Sequence, residues 1–248
     1  MQDKTTQSAG FADNWDCWLL HLYTASGAFF GIQAILAASR GETYLAFQLM
    51  MLTIIIDATD GTIARYIRVG ERLPHIDGRT LDDIVDFFTY VIVPVYAMVS
   101  FGLVWDHWLF WAPVVLASSF GFANVNAKTE DDFFLGFPSY WNLIALYLFA
   151  FGWPVWFNSL FVLVLAGLVF APIRFIYPSK TKPFQPVTLA LGLVWGAQTT
   201  ALVVCPQVLP DWWLPSTLFY PVYYFSLSLY LNRKHGASLV GSPDSPES

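Results

Sequence analysis

The chain has 248 residues, 56% of them hydrophobic and 12% charged, with a mean hydropathy of +0.52. Soluble domains carry about 25% charged residues, so this composition excludes an ordinary water-soluble globule and indicates a polytopic membrane protein. A net charge of −6 gives no sign of nucleic-acid binding. Cys17 and Cys205 sit far apart in apolar runs, forming neither a disulfide framework nor a metal motif.

The opening stretch MQDKTTQSAG is polar and carries no cleavable signal pattern. Beyond it, a helix needs about 20 apolar residues to cross the hydrocarbon core. The apolar runs predict eight such helices, at 17–39, 43–65, 83–105, 107–127, 139–155, 157–177, 186–206 and 213–232. Between the fifth and sixth, Gly152, Trp153 and Pro154 mark either a tight turn or a kink. An even number of spans places both termini on one side.

The basic residues say which side. Lys4, Arg65, Arg68, Arg72, Arg79, Lys128, Arg174, Lys180, Lys182, Arg233 and Lys234 all fall at the termini or at the second, fourth and sixth connections. Arg40 alone falls opposite. That asymmetry places both termini in the cytoplasm. The expectation is an all-α, polytopic integral membrane helix bundle. It has a polar segment at 1–14, a transmembrane domain at 15–235 and a disordered tail at 236–248. Trp105, Trp108, Trp111, Trp212 and Trp213 fall near helix ends, where interfacial anchoring accounts for them.

Where the second and third runs meet, six aspartates fall between Asp57 and Asp86. Asp57 and Asp60 close the second run; Asp82 and Asp86 open the third. Spacings of three and four put each pair on one helix face, and a single short connection lets the pairs face each other. MMLTIII leads directly into Asp57, so that carboxylate lies at the membrane boundary, where such groups normally serve a site. Four converging carboxylates require cations, and hard oxygen ligands suit Mg²⁺, Mn²⁺ or Ca²⁺. Two metals bridged by aspartates are a recurring device for displacement at phosphorus. A lone acid here would be read as a solvated helix end; two facing pairs are not. Gly61 and Ala64 share the face of the first pair, and Gly78 precedes the third helix, so a flat ring can approach the backbone. Arg65 follows and can pair with a phosphate.

The ordered set Asp57-x2-Asp60-Gly61-x2-Ala64-Arg65, then Gly78-x3-Asp82-x3-Asp86, resembles the signature of the CDP-alcohol phosphotransferases. The twelve residues YIRVGERLPHID that separate its halves are a longer gap than that family commonly has. This gap, with HLYTASG and TEDDFFLGFPSYWN, is similar to a bacterial inner-membrane branch that condenses CDP-diacylglycerol with choline to give phosphatidylcholine and CMP. The resemblance implies that Asp57, Asp60, Asp82 and Asp86 hold Mn²⁺ or Mg²⁺, as two ions, and that Asp86 is also the general base. It implies that Asp60, Gly61, Ala64, Arg65 and Gly78 surround the CMP part of the donor, and that the enzyme is a homodimer.

Three further points stay double. His21 and Thr24, three apart in the first span, can line the nucleotide pocket or hold helices together. Arg174 can bind the donor's phosphates or serve as a positive-inside anchor. For choline, whose quaternary ammonium favours aromatic faces helped by a carboxylate, the candidates are Glu130, Tyr140 and Trp141. The two aromatics are equally readable as interfacial anchors. Other acceptors (serine, inositol or glycerol phosphate), or CDP-choline with diacylglycerol, would use the same signature. A divalent-cation transporter would instead place acids near mid-membrane on several helices, and none of the other spans has a central carboxylate.

Overall fold

In a computed structural model, residues 14–125, 133–178 and 180–240 are described, the last seven by backbone alone. Glu130 lies outside them. Helices occupy every interval that the apolar runs predicted: α1 Trp15–Ser39, α2 Thr43–Ile67, α3 Gly78–Ser100, α4 Trp108–Ala123, α5 Trp141–Phe151, α6 Val155–Leu168, α7 Gln185–Val204 and α8 Phe219–Val240. The chain is a helical membrane protein. Helices α1, α2, α3 and α7 are long and apolar enough to cross a bilayer; α4, α5 and α6 are apolar but shorter. At a rise of 1.5 Å per residue, the 11 residues of α5 reach only about 16 Å.

Several boundaries differ from expectation for local reasons. Asp77 caps α3, accepting from the backbone N–H groups of Arg79 and Thr80, so the helix begins at Gly78 rather than near residue 83. Gly152, at φ +60°, ends α5 and Pro154 starts α6, so the run is broken by a turn rather than kinked. Helix α6 stops at Leu168, and the chain then enters a short strand, β2 (Arg174–Ile176), antiparallel to β1 (Phe133–Leu135). Arg174 therefore lies in a β-ribbon and not at the end of the sixth helix. Helix α8 continues to Val240, and residues 241–248 of the expected tail lie outside the described residues.

Helix α3 contains one wide turn, a π-helical stretch at Phe87–Ile92. Pro94 follows it, and proline lacks the N–H that would bond the carbonyl of Tyr90 four residues earlier. The helix widens instead of breaking, and so rotates the side chains beyond Asp86 relative to a regular helix.

Helix α1 packs along both α2 and α3. Small residues let it approach α3: a Cβ on Gly27 would lie 2.8 Å from Val85 Cγ1, and one on Gly31 2.7 Å from Phe88 Cε1. The main core joins α1–α6 through residues such as Ala34, Met50, Met98, Trp141, Leu148 and Val162. A second cluster fastens α8 to the ribbon through Phe133, Phe175, Ile176, Tyr224 and Leu231. The long connection between α2 and α3 folds back under α1. There Val69 and Leu73 are buried against Cys17 and Leu20, and Arg72 forks onto both oxygens of Asp16 at 2.5 and 2.7 Å.

Candidate active site

The facing ends of α2 and α3 bring Asp57, Asp82 and Asp86 together, with one carboxylate oxygen from each within 4.8 Å of the others. All three are half-buried. Such a set of like charges is repulsive by itself, and its hard oxygen donors fit Mg²⁺ or Mn²⁺. Asp60, one helical turn beyond Asp57, is not part of this triad. It is buried and accepts a 2.8 Å hydrogen bond from the hydroxyl of Thr24 on α1. Thr24 thus reaches the site through a carboxylate. The Asp57 carboxylate accepts a 2.7 Å hydrogen bond from the phenol of Tyr90, in the wide turn of α3.

A cavity of about 1090 Å³ opens beside the triad. Asp57, Asp60, Gly61, Ala64, Arg65, Gly78 and Asp82 line one end, together with His21 and Thr24. Asp86 joins the triad without lining the cavity wall. The space at Gly78 is real but shared: a Cβ there would come 3.2 Å from His21 Cε1. His21 is itself buried, and its Nε2 has no protein partner. An unpaired buried polar atom is costly unless a ligand or water meets it. Arg65 is exposed and bonds locally to Thr62 Oγ1 at 3.2 Å.

The other walls are mostly aromatic and apolar, and include Tyr140, Trp195, Tyr220 and Tyr224. Trp141 is not among them. It is fully buried in the main core, its indole N–H donating to Ser118 Oγ at 2.8 Å. This corrects its reading as a cation-binding side chain: it follows Tyr140 at the first turn of α5, and adjacent helix positions point in different directions. Arg174 also lies off the cavity, half-buried in β2, with the backbone N–H accepted by Asn232 Oδ1 at 3.4 Å.

Two tyrosines of the site were not singled out from the sequence. Tyr90 continues the series Asp82, Asp86, Tyr90 at intervals of four, which was a readable signal. Tyr224 comes from the far end of the chain, and nothing local in the sequence connects it to the aspartates.

A membrane helix bundle that sets a carboxylate triad beside a large, mostly apolar cavity is suited to chemistry on the head of a lipid. No protein-family model matches the chain. It is similar to the phosphatidylcholine synthase of Pseudomonas aeruginosa, 35% identical over 209 residues that cover 82% of this chain and 88% of the relative. The phosphatidylcholine synthase of Borreliella burgdorferi is 32% identical over 229 residues, 88% of this chain and 94% of the relative. That of Rhizobium meliloti is 31% identical over 214 residues, 86% and 89% of the two chains. The chain belongs to the phosphatidylcholine synthases, within the CDP-alcohol phosphotransferase family.

Proposed function

We propose that this protein transfers the phosphatidyl group of CDP-diacylglycerol to free choline, giving phosphatidylcholine and CMP. The observation that carries the reading is the convergence of Asp57, Asp82 and Asp86 at the edge of a cavity whose other walls are mostly aromatic and apolar. Its relatives are phosphatidylcholine synthases, which supports the same product.

Asp57, Asp60, Asp82 and Asp86 would hold the ions, two of Mn²⁺ or Mg²⁺, whose contribution is to neutralise diphosphate charge as CMP leaves. Thr24 holds Asp60 in orientation from the neighbouring helix. Gly61, Ala64 and Gly78 leave room for the cytidine, and Arg65 pairs with the diphosphate. His21 lines the same end of the cavity, beside the space left for the cytidine.

In the transfer, Asp86 takes the proton of the choline hydroxyl as that oxygen bonds to the phosphorus bearing diacylglycerol. The bond from this phosphorus to the bridging oxygen breaks, and CMP leaves with that oxygen, in line with the attack. The walls beyond the triad exclude water, which would otherwise compete with choline for the same phosphorus. In this reading both termini and the triad lie on the cytoplasmic side, where choline and CMP are soluble. The bacterial inner membrane provides that arrangement, and the enzyme acts there as a homodimer.

CMP release by purified protein in detergent tests this directly, with CDP-diacylglycerol, Mn²⁺ and choline, serine, inositol or glycerol phosphate in turn. Release with choline alone, abolished by EDTA, is the expected result. Release with another acceptor would keep the aspartate chemistry and discard choline.

A further inference from the structure

A trimethylammonium group has no N–H to donate, so ring faces and a nearby negative charge hold it better than hydrogen-bond acceptors do. Three tyrosines from three separate elements offer that surface on one wall of the cavity. Tyr90 comes from the wide turn of α3, Tyr140 from the entry to α5 and Tyr224 from α8, and all three line the cavity. Successive ring centroids, Tyr90 to Tyr140 and Tyr140 to Tyr224, are each 6.4 Å apart, with the planes inclined at 54° and 68°. Rings inclined this steeply are not stacked on one another. Inclined to one another along one cavity, they give a bound cation more than one aromatic surface to meet.

These rings are joined to the reacting groups through Tyr90, its phenol donating to Asp57 Oδ2 at 2.7 Å. Choline separates its hydroxyl from its cation by only two carbons. With the hydroxyl at the triad, the cation stays close to the carboxylates, and Tyr90, bonded to Asp57, is an aromatic side chain tied directly to them, with Tyr140 beside it. Tyr224 is braced from behind: its phenol donates to the Ile176 carbonyl at 3.2 Å, and its ring lies parallel to Phe175 at 6.1 Å. Lys180, also on the cavity wall, sits over Tyr177 instead, 4.9 Å from that ring's centre, and leaves these three faces to the ligand.

We propose that Tyr90, Tyr140 and Tyr224 form the subsite that selects the acceptor by its quaternary ammonium. The inference rests on the choline reading of the reaction. Held this way, the acceptor presents its hydroxyl to the triad, and a primary ammonium or a neutral alcohol of the same shape is held less well.

The test compares KM values for CMP release with CDP-diacylglycerol and Mn²⁺, using wild-type protein and Tyr140→Leu, Tyr224→Leu and Tyr140→Phe. The acceptors are choline, ethanolamine and 3,3-dimethylbutan-1-ol, the neutral carbon isostere of choline. Wild type should favour choline over both analogues. Each leucine variant should raise the choline KM by roughly tenfold to thirtyfold, as the loss of a desolvated ring–cation contact does. The KM for CDP-diacylglycerol should stay within about twofold, and Tyr140→Phe, which keeps the ring face, should restore choline binding. Leucine variants that shift both KM values together, or neither, overturn the subsite. So does a wild-type enzyme that accepts ethanolamine or the isostere as well as choline, a result that requires no variant to fold. No CMP release from wild type with choline would overturn the reaction itself and the subsite with it. An active wild type with indifferent leucine variants overturns the subsite alone.

Discussion

The phenol of Tyr90 donates to Asp57 Oδ2 at 2.7 Å, tying the wide turn of α3 to a carboxylate of α2. That bond restrains the Asp57 carboxylate, one of the three that converge with Asp82 and Asp86. Outer partners of this kind commonly carry about 10–100-fold in metal affinity. Removing the hydroxyl while keeping the ring, by Tyr90→Phe, should raise the Mn²⁺ concentration for half-maximal activity by a factor in that range. Saturating Mn²⁺ should then restore most of the rate. A Mn²⁺ titration of CMP release checks it; an unchanged midpoint would remove Tyr90 from the ordering of Asp57.

Asp86 is the group whose replacement should separate binding from turnover. Asparagine keeps one ligand oxygen and the shape of the side chain but accepts no proton from an attacking alcohol. CMP release by Asp86→Asn should fall by about 10²–10⁴-fold, the usual worth of a general base. Binding of CDP-diacylglycerol, measured by isothermal titration in detergent, should persist. Near-normal release would take Asp86 out of the proton-accepting role.

The close approach of α1 to α3 makes a different prediction, one about structure. A methyl on Gly27 would meet Val85 Cγ1 at 2.8 Å, inside any normal contact distance. Gly27→Ala should therefore cost about 1–3 kcal/mol by overpacking and lower the unfolding temperature in detergent. Pushing α1 outward would also carry Thr24 away from Asp60, so the Mn²⁺ requirement should rise in the same variant. An increase in stability would mean that Val85 has room to turn aside.

The signals that were legible in the sequence were the periodic and compositional ones. Long apolar runs located the helices, and spacings of three and four put Asp57 with Asp60 and Asp82 with Asp86 on single helix faces, because both are properties of a single helix. What depended on partners far along the chain was not legible. Three-residue strands at Phe133–Leu135 and Arg174–Ile176 are as apolar as a helix end, and only their pairing distinguishes them. Trp141 and Tyr140 are neighbours with opposite fates, decided by Ser118 on α4 and by the cavity. The pairing of Arg72 with Asp16, which folds the long α2–α3 connection under α1, spans 56 positions. The start of α3 was legible as well: Asp77, Gly78 and Thr80 are an N-cap pattern.

The burial of Trp141 yields a control for the tyrosine subsite. Its indole donates to Ser118 inside the core and touches no cavity wall. Trp141→Phe should lower stability, through a lost hydrogen bond worth about 1 kcal/mol and a vacancy beside Ser118. The KM for choline should not move beyond about twofold, against the tenfold or more expected for Tyr140→Leu. Paired KM measurements on the two variants separate the residues. A matching rise for Trp141→Phe would bring the aromatic neighbour back into contact with the acceptor.

The cap of α3 should make stability depend on pH in a defined direction. Asp77 accepts from the Thr80 side chain and from the backbone N–H groups of Thr80 and Arg79. These bonds, that from the Thr80 side chain foremost, hold its carboxyl below the ordinary value of 3.8. A group whose folded value is depressed stabilises fully above its unfolded value, about 3.9, and loses that contribution as pH falls through the folded one. Asp77→Ala should thus unfold a few degrees below wild type near neutral pH. The difference should shrink as the pH is taken below about 4, where the wild-type carboxyl begins to protonate. Thermal unfolding of both proteins in detergent from pH 7 to pH 3 measures it. A gap that stays constant over that range would show that the charge on Asp77 contributes nothing to the cap.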